Sequence, residues 1–172
     1  SPGIIFFSSG TTGRPKAILH DLSIFLKRYS LPRPAYRTLN FLLFDHIGGL
    51  NTLFHTLFNE GQVIIPYARN VSDIINDIDD YKVELLPTTP TFLRMLIMDG
   101  QINLNRLKSL KIITYGSEMM DENTLLRLNK LLPNVKFKQT YGMSEISILR
   151  VKSESNRSLW IKIDSDELKT KI

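Results

Sequence analysis

The sequence predicts an α/β fold: a mostly parallel sheet flanked by helices on both faces, with a hairpin at the N-terminus and short antiparallel strands at the C-terminus. Three observations predict it. Between residues 38 and 139, short apolar runs alternate with stretches whose apolar residues recur at helical spacing. Near the start, two apolar runs flank a loop dense in glycine and hydroxyls. After residue 146 the apolar runs shorten and charged turns separate them. Buried-type strands alternating with amphipathic helices imply right-handed crossovers and a sheet covered on both sides.

Taken in order, residues 4–7 and 16–20 read as the two strands of the hairpin. Asp21 can cap a helix whose Leu22, Phe25, Leu26 and Tyr29 recur at i, i+3, i+4 and i+7, and Leu31-Pro32-Arg33-Pro34 ends it. Residues 39–44 read as a buried strand. Leu50, Leu53, Phe54, Leu57 and Phe58 form one helical face, stopped by Gly61. Residues 63–65 read as a strand, and Ile74, Ile75, Ile78 and Tyr81 share a face of a helix capped by Ser72. Residues 83–86 are a predicted strand, with Pro87-Thr88-Thr89-Pro90 as a connector and a helix running through Phe92 to Met98. Residues 112–114 form the next strand. Asp121 caps a helix carrying Leu125, Leu128, Leu131 and Leu132, closed by Pro133, and residues 135–139 form the last buried strand. Runs at 148–151, 159–163 and 168–172 read as short strands of a β-element the chain does not finish. Three parts are therefore expected: 1–37 (hairpin and first helix), 38–146 (α/β sheet) and 147–172 (start of the β-element).

At 172 residues this is one domain's worth of chain, enough to bury a real core. No apolar run approaches membrane-helix length, the first residues lack a signal-peptide pattern, and a cytoplasmic location is expected. The absence of cysteine excludes disulfides and thiolate metal sites. Net charge is +5, and it resides in residues 1–40, which hold six basic residues and one acidic. Such a bias can signal nucleic acid. Here it lacks interleaved aromatics and surrounds a loop suited to phosphate, so a small anionic ligand is expected and no nucleic acid.

That loop is Ser8-Ser9-Gly10-Thr11-Thr12-Gly13-Arg14-Pro15-Lys16. Its glycines permit positive φ and close backbone approach, so successive N–H groups can turn toward one anion. Its hydroxyls can donate to phosphate oxygens, and Lys16 adds a full charge at the exit. A Walker loop needs its lysine directly after the second glycine and a helix beginning there. Gly10 and Gly13 are too close for that, and Pro15 precedes Lys16. The remaining alternative is a flexible Ser/Thr/Gly linker.

A second stretch, Gln139-Thr140-Tyr141-Gly142-Met143-Ser144-Glu145, follows the last buried strand. Tyr141 can lay its ring on a purine, Gly142 leaves room for a ligand, and Ser144 can donate to a phosphate. The hard oxygens of Glu145 suit Mg²⁺, which leans on one or two carboxylates plus phosphates. A Tyr-Gly turn beside a surface glutamate is the plainer alternative. With both stretches in view, the chain resembles the adenylate-forming enzyme superfamily of acyl-CoA synthetases, luciferases and peptide-synthetase adenylation domains. The first stretch is similar to its [ST]-[ST]-G-T-T-G-x-P-K signature and the second to its Y-G-x-[ST]-E signature. The resemblance runs over essentially the whole chain, as a middle piece of the large N-terminal domain of such an enzyme. It implies a missing N-terminal lobe and a missing C-terminal domain.

The resemblance assigns roles residue by residue. Ser8, Ser9, Gly10, Thr11, Thr12, Gly13 and Lys16 would hold the β,γ-phosphates. Tyr141 would pack on the adenine and Gln139 lie near its amino group, Thr140, Gly142 and Met143 would belong to the same nucleotide site, Ser144 would reach the α-phosphate, and Glu145 would hold Mg²⁺. Gly116, Ser117 and Glu118 would line the other side of the adenine; Gly116 could equally just ease a turn. Phe44-Asp45-His46-Ile47-Gly48-Gly49 is similar to the family's F-H-x-x-G segment, which puts His46 at the mouth for the acid. A locally satisfied strand-end histidine is the alternative. Asp45 departs from the commonest acyl-CoA synthetase pattern; it could pair with a substrate amine or cap the next helix. His20 and His55 read as structural. Asp164 and Asp166 lack the [ST]-G-D context of the ribose-binding aspartate.

The implied activity is ATP-dependent: a carboxylic acid becomes an acyl-adenylate with release of pyrophosphate, then usually a thioester with CoA or a carrier-protein thiol. Lys16, Thr11, Glu145 and His46 are the expected catalytic residues. The piece alone is expected to be inactive. Alternatives are a non-catalytic nucleotide-binding module or an amino-acid-activating adenylation domain.

Overall fold

The chain opens with an antiparallel hairpin, β1 (Gly3–Ser8) and β2 (Lys16–Asp21), with Gly3 opposite Asp21 and Ser8 opposite Lys16. These positions come from a computed structural model that describes residues 2–8, 14–99 and 103–163. The predicted loop residues Ser9, Gly10, Thr11, Thr12 and Gly13 lie outside the described residues, as do Asp164, Asp166 and the expected strand 168–172. Asp21 caps α1 (Leu22–Lys27) by accepting from the N–H groups of Ser23 and Ile24, as its position predicts.

Five strands then build one parallel sheet: β3 (Arg37–Leu39), β4 (Gln62–Ile64), β5 (Leu85–Thr88), β6 (Ile112–Tyr115) and β7 (Lys136–Gln139), in the order β4-β3-β5-β6-β7. The helices between them are α2 (Ile47–Phe58), α3 (Val71–Asp80), α4 (Pro90–Met98) and α5 (Glu122–Leu131). The chain steps one way from β3 to β4, then crosses back to β5 and continues outward. Right-handed crossovers therefore set α2 on one face and α3, α4 and α5 on the other. The packing agrees: α3 touches α4 and α4 touches α5, while α2 touches β3 and β4. The large core lies on the three-helix side, with Leu39, Ile74, Leu86, Leu93, Ile113, Leu125 and Phe137 among its members. On the other side a second, smaller cluster joins Phe6, Phe25, Tyr29 and Ile47.

After the sheet come two short antiparallel pairs, β8 (Tyr141–Met143) with β9 (Ser147–Leu149), and β10 (Val151–Ser153) with β11 (Ile161–Ile163).

Several expectations need correction. Residues 40–44 are not strand. β3 stops at Leu39 and the chain folds into turns, with Phe41 N bonded to Leu39 O and His46 N to Leu43 O. Those apolar residues are used by packing instead: the Phe41 ring lies 4.7 Å from Phe92. Helix α3 starts earlier than Ser72 would allow, because Asn70 is the cap. Its Oδ1 accepts from Asp73 N at 2.9 Å and its Nδ2 donates back to the Asp73 carboxylate. β5 begins at Leu85 and runs through Pro87 and Thr88 rather than stopping at Leu86. Its one pairing with β3, Thr38 opposite Leu85, lies before that proline.

Helix α2 buries a different side from the one its apolar pattern predicts. Gly48, Gly49, Thr52 and Thr56 are buried, whereas Leu57 and Phe58 are exposed. A Cβ on Gly49 would stand 1.9 Å from the Leu43 carbonyl oxygen, so only a side-chain-free residue permits this approach. The threonine hydroxyls return to helix carbonyls one turn back, Thr52 to Gly48 and Thr56 to Thr52, which satisfies them in the dry contact.

Candidate functional site

The site grows from the carboxyl ends of β6 and β7, where open α/β sheets hold their ligands. Thr140, just past β7, donates its backbone N–H to Tyr115 O at 2.7 Å and its hydroxyl to the same oxygen at 3.1 Å. A Cβ on Gly116 would stand 2.3 Å from Thr140 Oγ1, so glycine is what lets the two strand ends close together. Ser117 follows in the left-handed region (φ 67°). Past Thr140 the chain enters β8, where Gly142 fits tightly against β9: a Cβ there would meet the Ser147 carbonyl oxygen at 2.6 Å. Gly142 is thus required by the hairpin itself, before any ligand is considered.

These elements enclose a cleft of about 190 Å³ lined by His46, Ser117, Thr140, Gly142, Met143 and Ser144, with Ile47 and Ile148 as its apolar wall. Six residues singled out from three separate stretches of sequence therefore meet at one place. His46 caps α2, its Nδ1 accepting from Gly48 N at 3.0 Å. The ring proton of neutral His46 accordingly sits on Nε2, which is left as a donor. Asp45 does not cap that helix. It lies in a separate groove of about 340 Å³ walled by Ile4, Phe6, Phe44 and Leu50, among others, where it is the only charged residue among the described ones.

Tyr141 and Glu145 are exposed beside the cleft. Gln139, at the end of β7, has its Oε1 buried without a hydrogen-bond partner. That orphaned acceptor fits the amino group of a purine. Glu118 does not line the cleft. Its carboxylate accepts from Thr91 N at 3.0 Å and from the Thr91 hydroxyl, 3.5 Å from Arg94. Tyr115 is buried beneath the site, and burial pushes its hydroxyl pKa up to about 12, so it stays protonated. Among the described residues, no cluster of three or more His, Cys, Asp or Glu side chains could hold a metal. A Mg²⁺ held by Glu145 would need phosphate oxygens to complete its shell, which is the ordinary habit of that ion.

Lys16 opens β2, opposite Ser8. Side chains alternate along a strand, so Lys16, Ile18 and His20 share one face. His20 on that face meets the other half of the site: its Nε2 donates to the Ser144 carbonyl at 2.6 Å. From the end of α1, Arg28 reaches the Ser147 hydroxyl and the Ile148 carbonyl. Sequence reasoning reads His20 as structural and gives Arg28 no role. The available signal was positional: His20 stands four residues from Lys16 in a strand, hence on its face.

Residues 1–163 match the family model described as AMP-binding enzyme. The chain is 27% identical over 168 residues to the protein named 4-coumarate--CoA ligase-like 6 of Arabidopsis thaliana, covering 90% of this chain and 30% of that protein. It is 27% identical over 158 residues to acyl-CoA synthetase 7 of Caenorhabditis elegans, covering 82% of this chain and 29% of that protein. Among solved structures, the luciferase-like enzyme of the Zophobas morio mealworm matches with TM-score 0.73 and 29% identity, over 84% of this chain and 35% of that one. The chain thus spans under a third of the length of these two curated relatives.

Proposed function

The chain belongs to the AMP-binding enzyme family, and from that premise we propose that it is the middle of the large domain of an ATP-dependent carboxylic acid ligase. Such an enzyme forms an acyl-adenylate, releases pyrophosphate, and passes the acyl group to CoA or a carrier-protein thiol. The observation that carries this reading is the contact between the hairpin and the β8 turn. His20, on the same strand face as Lys16, bonds to the Ser144 carbonyl, and Ser144 lines the strand-end cleft together with His46, Ser117, Thr140 and Gly142.

In this reading a carboxylate oxygen attacks the α-phosphorus, the bond to the β-phosphate oxygen breaks, and pyrophosphate leaves. Catalysis is then chiefly positioning and charge stabilisation. The loop from Ser8 to Lys16, Thr11 included, holds the β,γ-phosphates. Ser144 donates to the α-phosphate. Tyr141 and the Gln139 acceptor hold the adenine, and the Gly116-Ser117 turn faces it from the other side, braced by the bonds of Glu118 to Thr91 and Arg94. His46 offers its Nε2–H at the mouth for the acid. Mg²⁺, when bound, neutralises charge building on the phosphates, and Glu145 is the residue that would hold it. The three parts 1–37, 38–146 and 147–172 serve as phosphate hairpin, sheet and the first strands of a further β-element. A cytoplasmic setting is part of this reading.

A second reading, activation of an amino acid, is favoured by one observation: Asp45 is the lone charge among the described residues of its apolar groove. A cationic amine in such a groove needs a counter-charge. Pyrophosphate exchange by the full-length chain against acyl, aryl and amino acids tests both readings. Exchange with acyl or aryl acids supports the first. Exchange confined to amino acids, and lost in Asp45→Asn, supports the second. No exchange with any acid overturns both in favour of a non-catalytic nucleotide module. The 172-residue piece by itself is expected to show little or none.

A further inference from the structure

We propose that His20 is a positioning residue that sets the phosphate hairpin in register with the adenylate turn; the inference rests on the ligase reading above. A carbonyl oxygen only accepts, so in the 2.6 Å contact with Ser144 O the Nε2 of His20 must carry the proton. The ring cannot easily swing away. Phe6 stands edge-on to it at 5.6 Å and Phe25 at 6.3 Å, and both phenylalanines are buried. Packing therefore fixes the donor direction before the acceptor arrives.

The acceptor matters because of where it lies. The Ser144 carbonyl shares its peptide plane with the Glu145 N–H, so holding that oxygen fixes ψ of Ser144 and the heading of the chain into Glu145. On the far side of the same turn, Arg28 holds the Ser147 hydroxyl and the Ile148 carbonyl, its guanidinium 5.3 Å from the Phe25 ring centre. Ser147 is buried and strained into positive φ (63°), a conformation that needs outside support. One structural unit, β1–β2–α1, thus grips the turn at both ends. Lys16 sits on that unit, on the face of His20 and about 13 Å along β2 at about 3.3 Å per residue. Groups meant for one nucleotide come from segments more than a hundred residues apart, and this bond ties their positions together.

The test compares His20→Phe, which keeps a ring between Phe6 and Phe25 but loses the donor, with His20→Gln, which keeps an N–H donor, in the full-length chain. The role predicts that His20→Phe raises KM for ATP about fivefold, the size of one net hydrogen bond, while KM for the acid stays put. His20→Gln recovers most of the loss. A purely structural histidine would lower the amount of active enzyme in both variants without splitting the two KM values. Equal KM values in His20→Phe and wild type overturn the proposal, as does an equal rise for both substrates. The bond itself is read independently by nitrogen-15 NMR of the wild-type chain. A His20 Nε2–H resonance protected from solvent exchange and close to the Glu145 amide supports it. Loss of that proton at the solvent rate overturns it, whether or not the chain turns out to be a ligase.

Discussion

On the three-helix side of the sheet, twenty-one described side chains form one buried cluster that runs from Leu39 to Phe137. Among the described residues the hairpin with α1 and α2 fully buries just Phe6, Phe25, Tyr29 and Ile47, with partly buried side chains such as Leu50, Phe54 and Ile148 around them, and it leaves Ile5, Phe7, Leu19 and Ile24 exposed. The first region is held by non-directional apolar burial, which tolerates small shifts. The second has a thinner apolar contact with the rest of the chain, through Ile148, and adds aimed contacts, His20 to Ser144 and Arg28 to Ser147 and Ile148. Stability therefore resides mainly in the sheet, and the geometry of the candidate site resides in the clasp between the hairpins. Substitutions should separate the two.

The largest effect is expected at Ile113, fully buried on the interior strand β6. Ile113→Ala should cost about 3–4 kcal/mol in denaturant unfolding, from lost transfer energy plus the cavity left behind. A loss near zero would break the comparison. Phe25→Ala should cost less globally, about 2 kcal/mol, because part of the loss is local opening. Hydrogen exchange should quicken in β1 and β2 while β5 and β6 stay protected. Uniform quickening in all four strands would mean the clasp and the sheet unfold as one unit.

At the amino end of the sheet, Glu84 ties β3, β5 and β6 together. Its carboxylate meets Lys111 Nζ at 2.6 Å and accepts from Arg37 N at 2.9 Å, and its backbone accepts from Lys111 and Ile112. Glu84→Gln should cost about 1 kcal/mol. The hydrogen bond from Lys111, then that from the Arg37 backbone, holds the Glu84 carboxyl below its usual 4.5. This stabilisation is complete above the unfolded value and disappears as pH falls through the depressed one. The Gln variant should accordingly show a flatter acid limb. The smallest effect belongs to His55, whose pKa is lowered by burial and then by Arg33 and Lys138. A histidine depressed in the folded state costs nothing above its unfolded value near 6.5 and opposes folding as pH falls below it. His55→Gln should remove a shallow loss of stability that begins near that pH in urea titrations.

Much of the frame was legible in the sequence, because strand–helix alternation and the caps Asp21 and Asp121 are local signals. Where periodicity misled, tertiary context had overridden it. The run 40–44 is apolar enough for a strand, yet it bends to seat Phe41 on Phe92. Helix α2 is amphipathic by its leucines, yet it docks through glycine and threonine because close approach needed small residues. At the site, the residues of the cleft were readable as motifs, whereas what joins them was not. His20 and Ser144 are 124 residues apart, and no local pattern announces a bond across that distance. Gly142 shows a second need that its motif does not reveal: it lines the cleft, and the turn of its own hairpin also requires a residue without a side chain.

The most direct measurement is an experimental structure of the full-length chain with AMP bound. One nucleotide should lie with its base against Tyr141 and its phosphate between Ser144 and the Ser8–Lys16 loop, with His20 still on the Ser144 carbonyl. AMP bound elsewhere, or a hairpin standing clear of the β8 turn, would contradict the claim that these two segments form one site.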